Sequence, residues 1–267
     1  MGISAMQLPY RLSLVMEKLS HASLADIGRS ISRFPRMPPS LTAPPSLSSV
    51  EMVTFLFPEV EVAAAEACRL EFLRDDRFFA AVNEKMIEKR RRHVQYPVWG
   101  EFLYMTVRFL KPRIVVETGV FDGVSSAIIL CALEENAEGE LLSIDLPARE
   151  TIVGSTSSMP DTTLPPHCDP GWVVPEYLRG RYNLELGDSK ELLPSLLSRY
   201  PKIDGFFHDS LHTFEHMYFE YATAWPHLSD GGLLLSDDIF WSRALYKFCK
   251  ETGKQYVRSG DFGAVRK

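Results

Sequence analysis

The sequence predicts an α/β protein built on a doubly wound, mainly parallel sheet, and three observations carry that prediction. From residue 113 onward, short β-branched or apolar runs alternate with apolar segments of helical length. The first run, Ile114-Val-Val116, passes through Gly119 and Gly123 into an apolar stretch at 127–133, the strand–glycine–helix corner at which such sheets bind ligands. Carboxylates or glycines close the later strands too, and in a doubly wound sheet all those ends share one edge.

Taken in order, residues 7–33 place Leu8, Leu12, Val15, Leu19, Ile27 and Ile31 at helical spacing. Pro35, Pro38, Pro39, Pro44 and Pro45 then make 35–46 an extended linker. The amphipathic segment before it is expected to join a second subunit or to cap the active site. Residues 60–91 are again helical, with a break at Asp75-Asp76 where Asp76 is placed to cap a helix over 77–91. Residues 1–93 are therefore expected to form a helical arm, and 94–267 the sheet domain.

A short amphipathic helix over 101–110 is stopped by Pro112 and delivers the chain into the first strand. The second strand, 140–145, ends in Asp145. Residues 146–182 break the rhythm with Pro147, Pro160, Pro165, Pro166, Pro170 and Pro175 and a Ser/Thr-rich tract, so a lid or substrate-binding insertion is expected. A third strand at 182–186 leads to a helix at 190–200, and a fourth at 203–208 to a helix at 213–225. Gly231-Gly232 is read as a turn into a fifth strand at 233–236, followed by a helix at 241–252. Two last strands, 255–259 and 262–266, form a hairpin about Gly260-Asp261.

The bulk numbers exclude several classes. Over 267 residues, 45% hydrophobic and 24% charged content are those of an ordinary globular protein. A formal charge of −6 offers no basic face for nucleic acid, and the run Lys89-Arg-Arg-Arg-His93 reads as a solvated helix end. Cys68, Cys131, Cys168 and Cys249 are too scattered for a zinc ribbon or a disulfide framework. With no apolar leader and no run of membrane-spanning length, a cytoplasmic protein is expected.

The glycine spacing, Glu117-x-Gly119-x-x-x-Gly123, is not the Gly-x-Gly-x-x-Gly of a pyrophosphate site, which points to a nucleoside without phosphates lying on bare backbone. Asp145 lies at the distance past this loop at which an acid accepts both ribose hydroxyls. Asp188 is placed either to reach an adenine amino group or to cap the helix after it. Asp209 follows the fourth strand and Asp237-Asp238 the fifth, and these strands are neighbours. Converging carboxylates raise one another's pKa unless a hard cation such as Mg²⁺ lies among them; the competing role for Asp209 and Asp238 is helix capping. His212, three residues past Asp209, is a candidate base for a substrate hydroxyl. His208 is expected on the opposite side of its strand end, and His216 behind His212 or simply packed.

Together, Glu117-Thr-Gly-Val-Phe-Asp-Gly123, Ile144-Asp145, Gly187-Asp188, His208-Asp-Ser-Leu-His-Thr-Phe-Glu215 and Leu228-Ser-Asp-Gly-Gly-Leu-Leu-Leu-Ser-Asp-Asp238 resemble the class I S-adenosylmethionine-dependent methyltransferases. Within them the chain is similar to small O-methyltransferases of family 24, the macrocin and catechol O-methyltransferase-like group with an Asp-Gly-x-His-x-Tyr segment. The resemblance covers roughly residues 94–267 and implies a Rossmann-like seven-stranded sheet of order 3-2-1-4-5-7-6 with strand 7 antiparallel. It implies that Glu117, Gly119 and Gly123 hold the methionine part and ribose of S-adenosylmethionine, Asp145 the ribose hydroxyls, and that Asp188 lies by the adenine. By the same resemblance Asp209, Asp237 and Asp238 would ligate Mg²⁺, and His212 takes the place of a catalytic lysine. Ser210 replaces the usual Gly and Phe214 the usual Tyr, so one hydrogen-bond donor toward substrate is gone.

The expected activity is methyl transfer to a hydroxyl of a small or glycosidic acceptor. Metal-independent N-methylation and a non-catalytic binding protein of the same fold are the alternatives. A nicotinamide reductase does not fit the glycine spacing.

Overall fold

The computed structural model describes residues 43–147 and 163–267, apart from Gln95 and Val98. The amphipathic segment at 7–33, most of the 35–46 linker and the Ser/Thr-rich tract of the insertion lie outside the described residues.

Four helices precede the sheet: α1 (Ser49–Leu56), α2 (Val62–Leu73), α3 (Asp76–Arg90) and α4 (Gly100–Leu110). A reciprocal capping box starts α1, where the Ser48 hydroxyl accepts from the Glu51 amide and the Glu51 carboxylate accepts from the Ser48 amide. The cap of α3 is Asp75 rather than Asp76, its Oδ1 accepting from the Phe78 amide at 2.8 Å. A carboxylate in first place before the helix reaches the third amide, whereas Asp76 is already inside the first turn.

The sheet then forms in alternation: β1 (Ile114–Thr118), α5 (Val124–Asn136), β2 (Glu140–Asp145), a 3₁₀ turn (Glu176–Arg181), β3 (Tyr182–Leu186) and α6 (Ser189–Arg199). After these come β4 (Ile203–His208), α7 (Phe214–Ala224), β5 (Leu228–Ser236), α8 (Ala244–Thr252), β6 (Tyr256–Ser259) and β7 (Phe262–Arg266). The strand order is β3-β2-β1-β4-β5-β7-β6, parallel except at β7, which pairs antiparallel with both β5 and β6.

Side-chain alternation along the strands supplies two cores, one on each face. Val115, Phe207, Leu233, Leu235 and Phe262 pack under α1 to α5, and Val116, Phe206, Leu234 and Val265 under α6, α7 and α8. The helices before the sheet are part of this packing, because Met52, Val53, Phe72, Phe78 and Val82 are buried in the same cluster as the strands. The expected boundary at residue 93 is thus absent: Pro44–Lys267 is one compact unit.

The fifth strand is longer than expected. Gly231-Gly232 does not turn the chain into it but lies within Leu228–Ser236, where the β4–β5 register shifts between Ile203 and Gly205. A glycine at φ +80° lets the strand absorb the irregularity and continue. Likewise α8 starts at Ala244, after a bend over 238–243 that carries Asp238 and Trp241. No helix among the described residues is long and apolar enough to cross a membrane.

Candidate active site

The parallel register brings the ends of β1, β2, β4 and β5 level, Thr118 beside Ile144 and His208, and His208 beside Ser236. The rim beyond them carries the residues singled out from the sequence.

Glu117 is fully buried in β1. Its Oε1 accepts from Ser125 Oγ at 2.6 Å, and its Oε2 from Ser126 Oγ at 2.5 Å and Ser143 Oγ at 2.7 Å. Burial pushes its carboxyl up to about 6, against the pull of those hydroxyls. The expectation for Glu117 is a cofactor contact; what the structure has is a brace beneath the loop, tying β1 to the first turn of α5 and to β2.

The loop glycines differ from expectation in the same way. A β-carbon on Gly119 would stand 2.1 Å from the Asp209 carbonyl oxygen, and one on Gly123 2.5 Å from the Gly171 Cα. Both have positive φ, +84° and +95°. The bare backbone expected to face a ligand is pressed here against other backbone, from the β4 loop on one side and the insertion on the other. The insertion is further tied down by the Gly171 amide donating to the Phe121 carbonyl and the Val173 amide to the Asp122 carbonyl. Asp122, inside the glycine loop, has no role that the sequence pattern assigns. It is buried, accepts both Arg90 Nε and Nη2 at 2.6 Å, and accepts Trp172 Nε1 at 2.8 Å, linking α3, the glycine loop and the insertion.

Asp145 ends β2, as expected, and its Oδ2 accepts the amides of Val120 at 2.6 Å and Phe121 at 2.9 Å. One carboxylate oxygen therefore sets the path of the glycine loop. Asp188 caps α6, its side chain accepting the Lys190 amide at 2.8 Å, which is the capping role weighed from sequence.

On the other half of the rim, His212 lies between two acids. Its Nε2 is 3.6 Å from Asp209 Oδ1 and its Nδ1 is 3.8 Å from Asp238 Oδ2. Neither acid caps a helix, since Thr213 caps α7 and Arg243 precedes α8. Asp238 is buried and left-handed at φ +56°, a conformation that Asp tolerates better than most residues other than glycine. The carboxylates expected together are arranged differently. Asp237 and Asp238 share a group with Asp261, each offering an oxygen within 4.8 Å of the others, while Asp209 stands across the His212 ring. Asp261 comes from the β6–β7 turn, distant in sequence, and its carbonyl accepts the Ile239 amide. Nothing in its own neighbourhood of the sequence singles it out.

His208, expected to face away, is instead fully buried under this cluster, its ring edge-on to that of His212 with centroids 5.3 Å apart. Its Nδ1 lies 2.6 Å from Glu220 Oε2. Glu220 went unnoticed in the sequence, although the signal is there: a carboxylate between Met217, Tyr221 and Ala224 on the core-facing stripe of α7.

Residues 116–239 match the family model described as a methyltransferase domain. No curated protein sequence matches the chain. Among solved structures, an O-methyltransferase from Bacillus cereus in complex with S-adenosylhomocysteine is similar at 15% identity and a TM-score of 0.52, over 77% of this chain and 97% of that one. The O-methyltransferase TomG from Streptomyces achromogenes, involved in tomaymycin synthesis and solved with S-adenosylmethionine, is similar at 15% identity and a TM-score of 0.50, over 72% of this chain and 90% of that one. At such identities the likeness is one of fold. Sheet order, strand–glycine–helix corner and the match over residues 116–239 agree on a Rossmann-like methyltransferase domain.

Proposed function

We propose that the protein is an O-methyltransferase that passes the S-adenosylmethionine methyl group to a hydroxyl of a small or glycosidic acceptor. One observation carries this reading: a histidine flanked by two carboxylates on the strand-end rim, beside the glycine corner. An oxygen nucleophile must lose a proton as it attacks, and His212 is the group on this rim suited to receive it. Asp209 and Asp238, on either side of the ring, stabilise the imidazolium that results. The transfer itself breaks the sulfonium carbon–sulfur bond and forms the carbon–oxygen bond in line, leaving a neutral thioether. Alignment and exclusion of water are then the protein's main tasks.

The cofactor's ribose fits beside Asp145, of which only one oxygen is engaged by the loop amides. The names of the two solved relatives support this cofactor and an oxygen acceptor. A divalent cation fits the donor set of Asp237, Asp238 and Asp261, all hard oxygen ligands. Bound there, it would lower the pKa of an acceptor hydroxyl. The net charge of −6 supports a small-molecule acceptor over a nucleic acid.

The test is methyl transfer from radiolabelled S-adenosylmethionine to a panel of phenolic, glycosidic and amine acceptors, with and without EDTA. Label entering hydroxyl compounds, and lost in His212→Ala, is the expected result. Label entering amines alone, unaffected by EDTA, would overturn the oxygen reading.

A further inference from the structure

The Glu220 carboxylate is completely buried on α7, and its partners come from three separate stretches of the rim. Its Oε2 accepts Thr118 Oγ1 at 2.6 Å and meets His208 Nδ1 at 2.6 Å. Its Oε1 accepts Ser189 Oγ at 2.5 Å and Ser210 Oγ at 2.9 Å, and meets His216 Nε2 at 2.9 Å. Burial alone would raise this carboxyl. The hydrogen bonds from His208, His216 and Ser189 outweigh it and hold the group well below the usual carboxylate range, so it is an anion at neutral pH.

A buried anion costs several kcal/mol to desolvate, and an apolar side chain would fill the same volume more cheaply. Packing therefore does not explain it, but the positions of its partners do. Thr118 immediately precedes Gly119, Ser189 immediately follows Asp188, and His208 and Ser210 stand on either side of Asp209. The other nitrogen of His208, Nε2, is buried with no hydrogen bond, so the bond to Glu220 orients the ring that packs against His212.

We propose that Glu220 is a positioning residue of methyl transfer: one carboxylate locks the loops after β1, β3 and β4 in register and, through His208, sets the attitude of the His212 imidazole. The proposal rests on the reading of His212 as the base and of the β1 and β3 loops as the cofactor side.

It is tested in the full chain with Glu220→Gln, which keeps the volume and removes the charge. Ser189→Ala and Ser210→Ala each remove a single donor. Tyr221→Phe serves as a control: it keeps the ring that packs edge-on against His208 and removes only a hydroxyl that bonds Ser236 of β5, not the loops after β1, β3 or β4. The readouts are S-adenosylhomocysteine affinity by calorimetry, the His212 ring signal in a carbon–proton NMR spectrum, and the melting temperature.

Glu220→Gln is expected to weaken S-adenosylhomocysteine by about tenfold and to shift the His212 signal, as loss of a charged, multiply bonded acceptor implies. Ser189→Ala should weaken binding and leave the His212 signal in place, while Ser210→Ala should do the reverse. Tyr221→Phe should lower the melting temperature and move neither. If Glu220→Gln melts earlier yet keeps both affinity and His212 signal, the role is packing and the proposal is overturned. If Glu220→Gln does not fold, the two serine variants decide: wild-type behaviour of both on affinity and signal overturns it. Failure of the wild type to bind S-adenosylhomocysteine would instead defeat the cofactor reading, leaving the His212 signal in Glu220→Gln and Ser210→Ala to judge the positioning.

Discussion

Gly123 leaves no room for a β-carbon because the Cα of Gly171 stands 2.5 Å from where one would be. The insertion is thus seated backbone against backbone on the glycine loop, helped by the Gly171 amide donating to the Phe121 carbonyl and by Trp172 Nε1 donating to Asp122. Gly123→Ala should add both a clash and the strain of a side chain at φ +95°, a loss of about 3 kcal/mol by urea unfolding. A loss below about 0.5 kcal/mol, the range of neutral surface changes, would mean that the two loops are not in contact in solution.

Arg90 and Asp122 form a two-bond ion pair whose side chains are 6% and 7% exposed. Arg90→Met strands a buried carboxylate and should cost about 3–5 kcal/mol. Arg90→Met combined with Asp122→Asn should recover a substantial part of that loss, since no unpaired charge remains. Additive losses in a double-mutant cycle would contradict the coupling.

Glu117 gives a pH signature of known sign. Burial lifts its carboxyl from 4.5 to about 6, so between those values the folded chain holds the proton more tightly than the unfolded chain does. Its contribution to stability therefore falls as pH rises through that window, by about 2 kcal/mol in total, and is flat above it. The stability of Glu117→Gln minus that of wild type should climb by this amount between pH 4 and pH 7, roughly the span of the two pKa values. A pH-independent difference would show that Glu117 titrates normally. Glu220 has the opposite sign: its depressed pKa contributes stability above the ordinary carboxylate range that is lost on acidification.

Asp261 separates the observed acid cluster from the one expected. Asp261→Asn should weaken Mn²⁺, used as a paramagnetic probe, by about tenfold and leave S-adenosylhomocysteine affinity alone. Equal Mn²⁺ affinity in both proteins would show that Asp261 is no ligand of the proposed cation.

The parts of this protein that follow local rules were readable from the sequence. Strand and helix alternation announced the sheet, and Asp145 and Asp209 end up on its rim because a carboxylate after a parallel strand has nowhere else to go. What escaped depends on contacts between distant segments. Asp122 matters because Arg90 and Trp172 reach it from other elements, and Asp261 because antiparallel β7 brings the hairpin turn beside the end of β5. Gly119 and Gly123 tolerate no side chain, and the space one would need is taken by Asp209 and Gly171 backbone. Periodicity marks a glycine's need for space and leaves open what fills it.

The most direct test of the central claim is calorimetric titration of S-adenosylhomocysteine into the wild-type chain and into Asp145→Ala. One site per wild-type chain is expected, with an affinity at least about tenfold weaker in the variant, since Asp145 Oδ2 holds the glycine loop and its other oxygen is the proposed ribose acceptor. Absence of binding by the wild type, or equal affinity in the two proteins, would contradict it.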